Sequence, residues 1–286
     1  MNLIDVKGLL LVMLVFVPLE RLLALRPQQR LFRRGWQTDF THLLVSGAMI
    51  KLGLLAFLLV VLLAAERITP SSWRVTIVNQ PLWLQFPLLL VLADLTFYMV
   101  HRAFHTVPIL WRVHAVHHSI EEMDWLAGHR VHPIDQILTK GLSLVPVYAL
   151  GFSTPTVLLF AALYHWQSLL IHSNVRIGFG PLKWILASPH FHHWHHANCP
   201  EAVDKNFAGQ LVFLDILFGT LYMPPGRMPA HYGIQEPVPR SYLGQIVYPF
   251  MRRRALHGQP GGAGSVMNTN RGHASFEAQS SPTQTL

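Results

Sequence analysis

Apolar residues run almost unbroken over 8–25, 40–65 and 82–100, and a fourth stretch over 137–171 is apolar but interrupted by Pro146, Gly151 and Pro155. A helix of about 20 apolar residues crosses a bilayer. The first run is followed by Arg26, Arg30, Arg33 and Arg34 rather than by a small-residue cleavage site, which predicts a retained helix instead of a removed leader. The second is long enough to span with some tilt, and Lys51 within it predicts one face packed on protein. The third leads directly into HRAFH, and the fourth reads as two segments forming a hairpin, spanning or re-entrant. The segment LVFLDILFGTLY at 211–222 is too short to span and reads as an interfacial or core element. After residue 258 the chain is rich in Gly, Ser, Gln, Asn and Thr, a composition that cannot bury enough surface to offset its ordering entropy. The pattern predicts an all-α integral membrane bundle of about four transmembrane helices. Its expected parts are an N-terminal transmembrane region at 1–80, a catalytic domain at 81–250 and a disordered polar tail at 251–286.

Composition agrees with the pattern. Charged residues make up 13% of the chain, against about 25% in soluble domains, and mean hydropathy is +0.32. The formal charge of +8 comes from arginines flanking apolar runs, which fits membrane topology better than a nucleic-acid face. Arg21, Arg26, Arg30, Arg33 and Arg34 separate the first two runs, whereas Arg67 and Arg74 are the arginines between the second and third. The positive-inside rule places the first loop in the cytoplasm (the inner-membrane face if the source is bacterial). His101, His105 and the later histidines then reach that same face. The single cysteine, Cys199, excludes an intrachain disulfide framework and a Cys-rich zinc site.

Histidine is the outlier: of 18, fourteen fall between His101 and His196. HRAFH places His101 and His105 at i, i+4; HAVHH places His114, His117 and His118 at i, i+3, i+4; HHWHH repeats that spacing with His192, His195 and His196. On helices each set shares a face, so each is expected to aim its rings at one point. Eight converging imidazoles exceed what one ion takes from protein, which predicts a di-metal site in a histidine-rich helical cap. Imidazole suits iron, zinc, copper and nickel, and nitrogen-rich sites with open positions hold redox-active iron.

The motifs DLTFYMVHRAFH (94–105), WRVHAVHHS (111–119), HRVHP (129–133), IHSN (171–174), SPHFHHWHH (188–196) and DILFGTLY (215–222) together resemble the fatty acid hydroxylase/sterol desaturase superfamily of integral-membrane non-haem di-iron oxygenases. The resemblance covers roughly 82–250. It implies iron ligation by His101, His105, His114, His117, His118, His192, His195 and His196, with His172 and His132 as further ligands. His165, two turns before His172, is a ligand, a supporting neighbour or a packed ring. His129 is expected beside the site, and His190 and His193, off the HHWHH ligand face, around it. Metal-bound imidazoles donate their other N–H to carboxylates or carbonyls. The candidates are Asp94, Asp124, Asp135 and Asp215, with Tyr98 and Asn174 as further neighbours of the ligands; interfacial anchoring is the other reading of Tyr98. His42, His231, His257 and His273 fall outside the pattern.

The resemblance further implies two iron ions, dioxygen as co-substrate, a lipid substrate (fatty acyl, sterol or related isoprenoid) entering from the bilayer, and electrons from a separate ferredoxin- or cytochrome-type donor. Hydroxylation and desaturation remain open, as do ether-lipid cleavage and carotenoid hydroxylation. A membrane hydrolase would need an acidic base such as the HExxH glutamate, which no cluster contains. A non-catalytic metal-binding protein is the remaining alternative.

Overall fold

In the computed structural model, which describes residues 5–251, helices carry nearly all the regular structure. Among the described residues the extended pairings are isolated bridges, Ala24 with Val175, Leu186 with Leu211 and Ala197 with Tyr232. The expected polar tail, from residue 252 on, lies outside the described residues, as do His257 and His273.

Helix α1 (Val6–Leu22) begins at Asp5, whose carboxylate accepts the Gly8 amide. Helix α2 (Trp36–Thr41) passes through a π turn at His42–Ser46 into α3 (Gly47–Ile68), so that Trp36–Ile68 is one long helix. The π turn has a local cause. The buried His42 ring bonds Ser46 Oγ at 3.0 Å and Gln245 Oε1 at 2.8 Å, which fixes a wider turn there. A short helix α4 (Ser71–Val78) precedes α5 (Leu82–Thr106), which extends past the apolar run to carry His101 and His105. Pro108 occupies the first turn of α6 (Pro108–His118), where its missing N–H costs nothing. Helices α7 (Pro133–Leu150) and α8 (Thr154–His172) form the expected pair, but Pro146 lies inside α7 and the break is at Gly151, in the left-handed region at φ +73°. Helix α9 (Pro189–His195) carries most of HHWHH; Ser188 caps it by accepting the Phe191 amide, and Pro189 opens it as its sequence suggests. Helices α10 (Phe213–Leu217) and α11 (Tyr242–Val247) are short.

Among the described residues two helices are long and apolar enough to cross a membrane, Trp36–Ile68 and Leu82–Thr106. The expectation of about four spans meets its limit in the others. Helix α1 is 17 residues long, and α7 and α8 carry Asp135, Thr139, Lys140, Tyr164, His165 and Gln167 among their apolar positions. Only 6% of the apolar window in Trp36–Ile68 is buried, so its leucines and valines, including Leu55, Leu59, Val60 and Leu63, face outward as a lipid-facing surface would.

Helix α5 is the spine. It packs against α6, α7 and α8, while α3 packs on α7. A side chain at Gly141 would meet the Phe57 ring at 2.9 Å, so glycine permits the close α3–α7 approach. Leu89, Ala93, Val147, Phe152 and Phe160 fill the core among α5, α7 and α8. A second core, around Tyr98, Phe191, Phe207, Leu211 and Val212, joins α5 and α9 to the 207–214 segment. Val12, Phe16, Trp125 and Leu169 join α1 to α8.

The arginine-rich segment after α1 packs onto the histidine-bearing loops. Arg33 makes a two-pronged contact with Asp124 at 2.6 and 2.7 Å and reaches Asp39 at 2.7 Å, and Asp39 also takes Arg130 at 2.5 Å. These charges are buried, and each has an opposite partner, the condition under which burying them is tolerable. Arg26 donates to the carbonyls of Pro229 and Ala230, and Asn174 clamps the Arg26 backbone through both amide atoms. Arginine loop and histidine clusters therefore occupy the same end of the helices.

Candidate metal centre

Nine imidazoles gather in two groups, each with its ring nitrogens within 4.8 Å of one another. The first holds His101, His105, His114, His118 and His195; the second holds His117, His172, His192 and His196. These are the eight motif histidines and His172. The grouping departs from the expectation that each motif aims at one point. HAVHH is split, with His114 and His118 in one group and His117 in the other, and HHWHH is split the opposite way, with His192 and His196 together and His195 across. Helix geometry explains the split. Residues i and i+4 differ by about 40° around the axis, whereas i+3 and i+4 differ by about 100°. One member of each triplet therefore points across to the neighbouring group.

Backbone and carboxylate acceptors fix the tautomers. His101 Nδ1 lies 2.7 Å from the Phe207 carbonyl, and His114 Nδ1 lies 2.6 Å from Asp135 Oδ2. Both nitrogens must donate, so both Nε2 atoms carry lone pairs, and these face each other at 3.0 Å. In the second group His117 donates to Arg130 O at 3.1 Å and His172 to Ser168 O at 2.7 Å, and their Nε2 lone pairs face at 3.3 Å. His195 donates to Lys205 O at 2.8 Å. Four buried ring nitrogens, His105 Nε2, His192 Nδ1, His195 Nε2 and His196 Nδ1, have no protein partner. Each such orphan costs about 1–3 kcal/mol, and facing lone pairs add repulsion. A cation in each group takes up the facing lone pairs and removes their repulsion. The residues present therefore fit two metal ions held by nitrogen donors.

The supporting contacts trace back to a few side chains. Asp94, midway along α5, accepts the backbone amides of Gly209, Gln210 and Leu211 at 3.0, 3.0 and 2.7 Å. Asp215 accepts those of Phe207 and Ala208 and the Thr220 hydroxyl, and Thr220 in turn accepts from Tyr98 at 2.8 Å. Together they fix the loop whose Phe207 carbonyl orients His101. Tyr98 is fully buried in this network, away from any interface. Asn206, in the left-handed region at φ 61°, satisfies its amide on Phe191 O and on both backbone groups of Tyr222. No sequence signal marked it. Nor did any mark the carbonyls of Phe207, Arg130, Ser168 and Lys205, since backbone acceptors have no side-chain signature.

The remaining candidates stand outside both groups. His132 uses both ring nitrogens on backbone: Nδ1 accepts the Ile134 amide and caps α7, and Nε2 donates to Ile246 O at 3.1 Å. His193 bridges the Tyr232 hydroxyl and the carbonyl of Ser173, next to His172. His190 donates to Arg227 O. His129 lies beside the Trp125 ring and His165 beside Trp166. Asn174 holds the N-terminal segment rather than an imidazole.

Burial, followed by the neighbouring imidazoles, holds His118, His192 and His196 well below the ordinary histidine value of about 6.5, and His117 and His195 move the same way. The rings are therefore neutral, the form that binds metal. The unfolded chain takes up more protons than the folded one below pH of about 6.5, so this stabilisation is complete above that pH and lost as pH falls. The metal-free protein is expected to melt at a constant temperature from pH 7 to 8 and progressively lower toward pH 5. A melting temperature equal at pH 7.5 and 5.5 would contradict neutral, buried imidazoles.

Residues 86–220 match the family described as fatty acid hydroxylase. The chain is similar to ornithine lipid hydroxylase OlsE of Rhizobium tropici, 35% identical over 184 residues, which is 64% of this chain and 54% of that protein. It is similar to human alkylglycerol monooxygenase, 35% identical over 149 residues, which is 51% of this chain and 32% of the relative. It also matches a very-long-chain aldehyde decarbonylase of Oryza sativa subsp. japonica, 29% identical over 132 residues, which is 46% of this chain and 49% of that protein. The chain thus spans about half or less of the length of these relatives. No solved structure matches. All nine grouped histidines lie inside the matched region.

Proposed function

We propose that the chain, whose residues 86–220 match the fatty acid hydroxylase family, is a membrane-bound, dioxygen-dependent di-iron enzyme that oxidises an unactivated C–H bond of a lipid. The observation that carries this reading is the pair of buried imidazole groups with lone pairs facing at 3.0 and 3.3 Å. Two iron ions, when bound, supply the oxidant that removes hydrogen from the lipid chain, with electrons from a separate donor protein.

The chain's own residues hold and shield that centre. His101, His105, His114, His118 and His195 form one ligand set, and His117, His172, His192 and His196 the other. Asp135 holds the His114 ring through Nδ1 and makes it a stronger donor. Asp94 and Asp215 keep Phe207 O where His101 needs it. Phe104, Phe191, Phe207 and Ala115, all almost fully buried, exclude water from the same region. The length and apolar surface of α3 and α5 support a centre beside the bilayer, the source of an apolar substrate. The arginine loop on the same side argues for a cytoplasmic centre, where reductant is available.

Hydroxylation is preferred to desaturation because the names of two of the relatives are those of a hydroxylase and a monooxygenase. Purified protein loaded with iron and given lipid extract, reductant and isotopically labelled dioxygen is expected to yield lipids carrying one labelled oxygen. A tightly bound zinc complement with no oxygen dependence after iron loading would refute the proposal.

A further inference from the structure

Helices α7 and α8 follow each other in the chain, and both pack on α5, yet they scarcely touch each other. The ammonium of Lys140 on α7 lies over the Tyr164 ring of α8, 5.6 Å from its centroid. Lys140 and Tyr164 are partly exposed and His165 is exposed, so solvent or lipid reaches these side chains. Tyr164 contacts Phe97, and Phe97 contacts the ligand ring His101. Lys140 and Tyr164 thus meet at an accessible edge between the two helices, and a chain of touching rings, Tyr164 and Phe97, leads from that edge to the ligand ring His101.

That cation is out of place by ordinary standards. Among the described residues Lys140 Nζ has no hydrogen bond and no salt bridge. The carboxylate nearest in effect, Asp135, is committed to His114 at 2.6 Å and to the Thr139 hydroxyl. The buried charges of Arg33, Asp39, Asp124 and Arg130, by contrast, each have an opposite partner. An ammonium within an apolar helix whose only close contact is an aromatic face is a candidate binding group. Its partner is then a ligand.

We propose that Lys140 anchors an anionic oxygen group, carboxylate or phosphate, of the lipid that enters between α7 and α8. An ammonium on a flexible stem suits either anion as a point charge. Tyr164, whose ring already sits against Nζ, stands at the same edge, with the exposed His165 next to it in the chain. The proposal rests on the reading of the chain as a lipid-modifying enzyme. It specifies the substrate class, a lipid with a negative headgroup.

The test is equilibrium binding without dioxygen, so it stands whether or not turnover occurs. Metal-loaded full-length protein in phosphatidylcholine nanodiscs is titrated with spin-labelled stearate, stearyl phosphate and stearyl alcohol. The wild type is expected to bind at least one of the two anions about tenfold more tightly than the alcohol, the worth of one charge-assisted contact. The preferred anion identifies the headgroup source. Lys140→Met is expected to abolish the preference, Lys140→Arg to retain most of it, and Lys183→Met, on the outer surface, to leave it unchanged. Removing an unpaired ammonium leaves the Lys140→Met melting temperature equal to or above wild type. Equal binding of all three probes by the wild type, an undiminished preference in Lys140→Met, or a markedly lowered melting temperature in that variant would overturn the assignment. Loss of oxygen-dependent turnover with the preference intact would instead count against the proposed reaction and not against Lys140.

Discussion

His117→Ala and His195→Ala are each expected to lower lipid oxidation by at least about 100-fold, and to do so through different metal ions. The two residues occupy equivalent-looking places in their motifs but belong to different groups. His195→Ala reduces a five-imidazole group to four, and His117→Ala reduces a four-imidazole group to three. Each removes a ring already oriented by a carbonyl, Lys205 O for His195 and Arg130 O for His117. Each also leaves the partner group complete. Metal analysis is therefore expected to find about one ion fewer in His117→Ala, with a smaller loss in His195→Ala because four donors remain. His190→Ala lies in the same histidine-rich stretch but bonds Arg227 O outside both groups, so its metal content and turnover stay within about twofold of wild type. Full metal content together with wild-type turnover in either ligand variant would remove the two-group assignment.

The second large effect is expected at a residue that touches no metal ligand. Asp94→Asn keeps the size of the side chain but replaces one acceptor oxygen with a donor. The carboxylate now serves three amides, with Leu211 N on Oδ2 and Gly209 N and Gln210 N on Oδ1. In the amide one donor faces another, and the two surviving bonds lose their charge assistance. Hydrogen bonds to charged acceptors are worth about 1.5–3 kcal/mol each, so the loss should reach about 3 kcal/mol. For a chain of this size that lowers the melting temperature by roughly 6–12 °C. The loop from 207 to 211 loosens with it, and with the loop goes the carbonyl that holds His101, so bound metal should fall as well. A melting temperature within about 1 °C of wild type would show that the three amides are satisfied without the charge. Mutants at Asp94 and at His101 are expected to be non-additive, since both act on the same ring.

Much of this was legible in the linear chain because it depends on local geometry. The apolar runs marked where α3, α5 and α8 lie. Pro108 and Pro189 marked first turns, and Gly151 marked the break between α7 and α8. Histidines spaced three and four apart marked the faces that carry ligands. Pro146 misled as a breaker, because α7 continues through it. Asp94 and Asp215 were visible as carboxylates near the motifs, but their partners proved to be backbone amides of the 207–211 loop rather than imidazoles.

The sequence by itself determined that eight imidazoles could converge, on which helix faces they stand, and that apolar helices accompany them. Only the tertiary structure decided the division into groups of five and four, the place of His172 in the second, and the retirement of His132 to capping α7. The reason is geometric. Spacing along a helix fixes the angle of a side chain about its own axis and nothing more. Which ring meets which depends on how α5, α6, α8 and α9 cross, and on carbonyls of Phe207, Arg130, Ser168 and Lys205 that any residue type could have supplied.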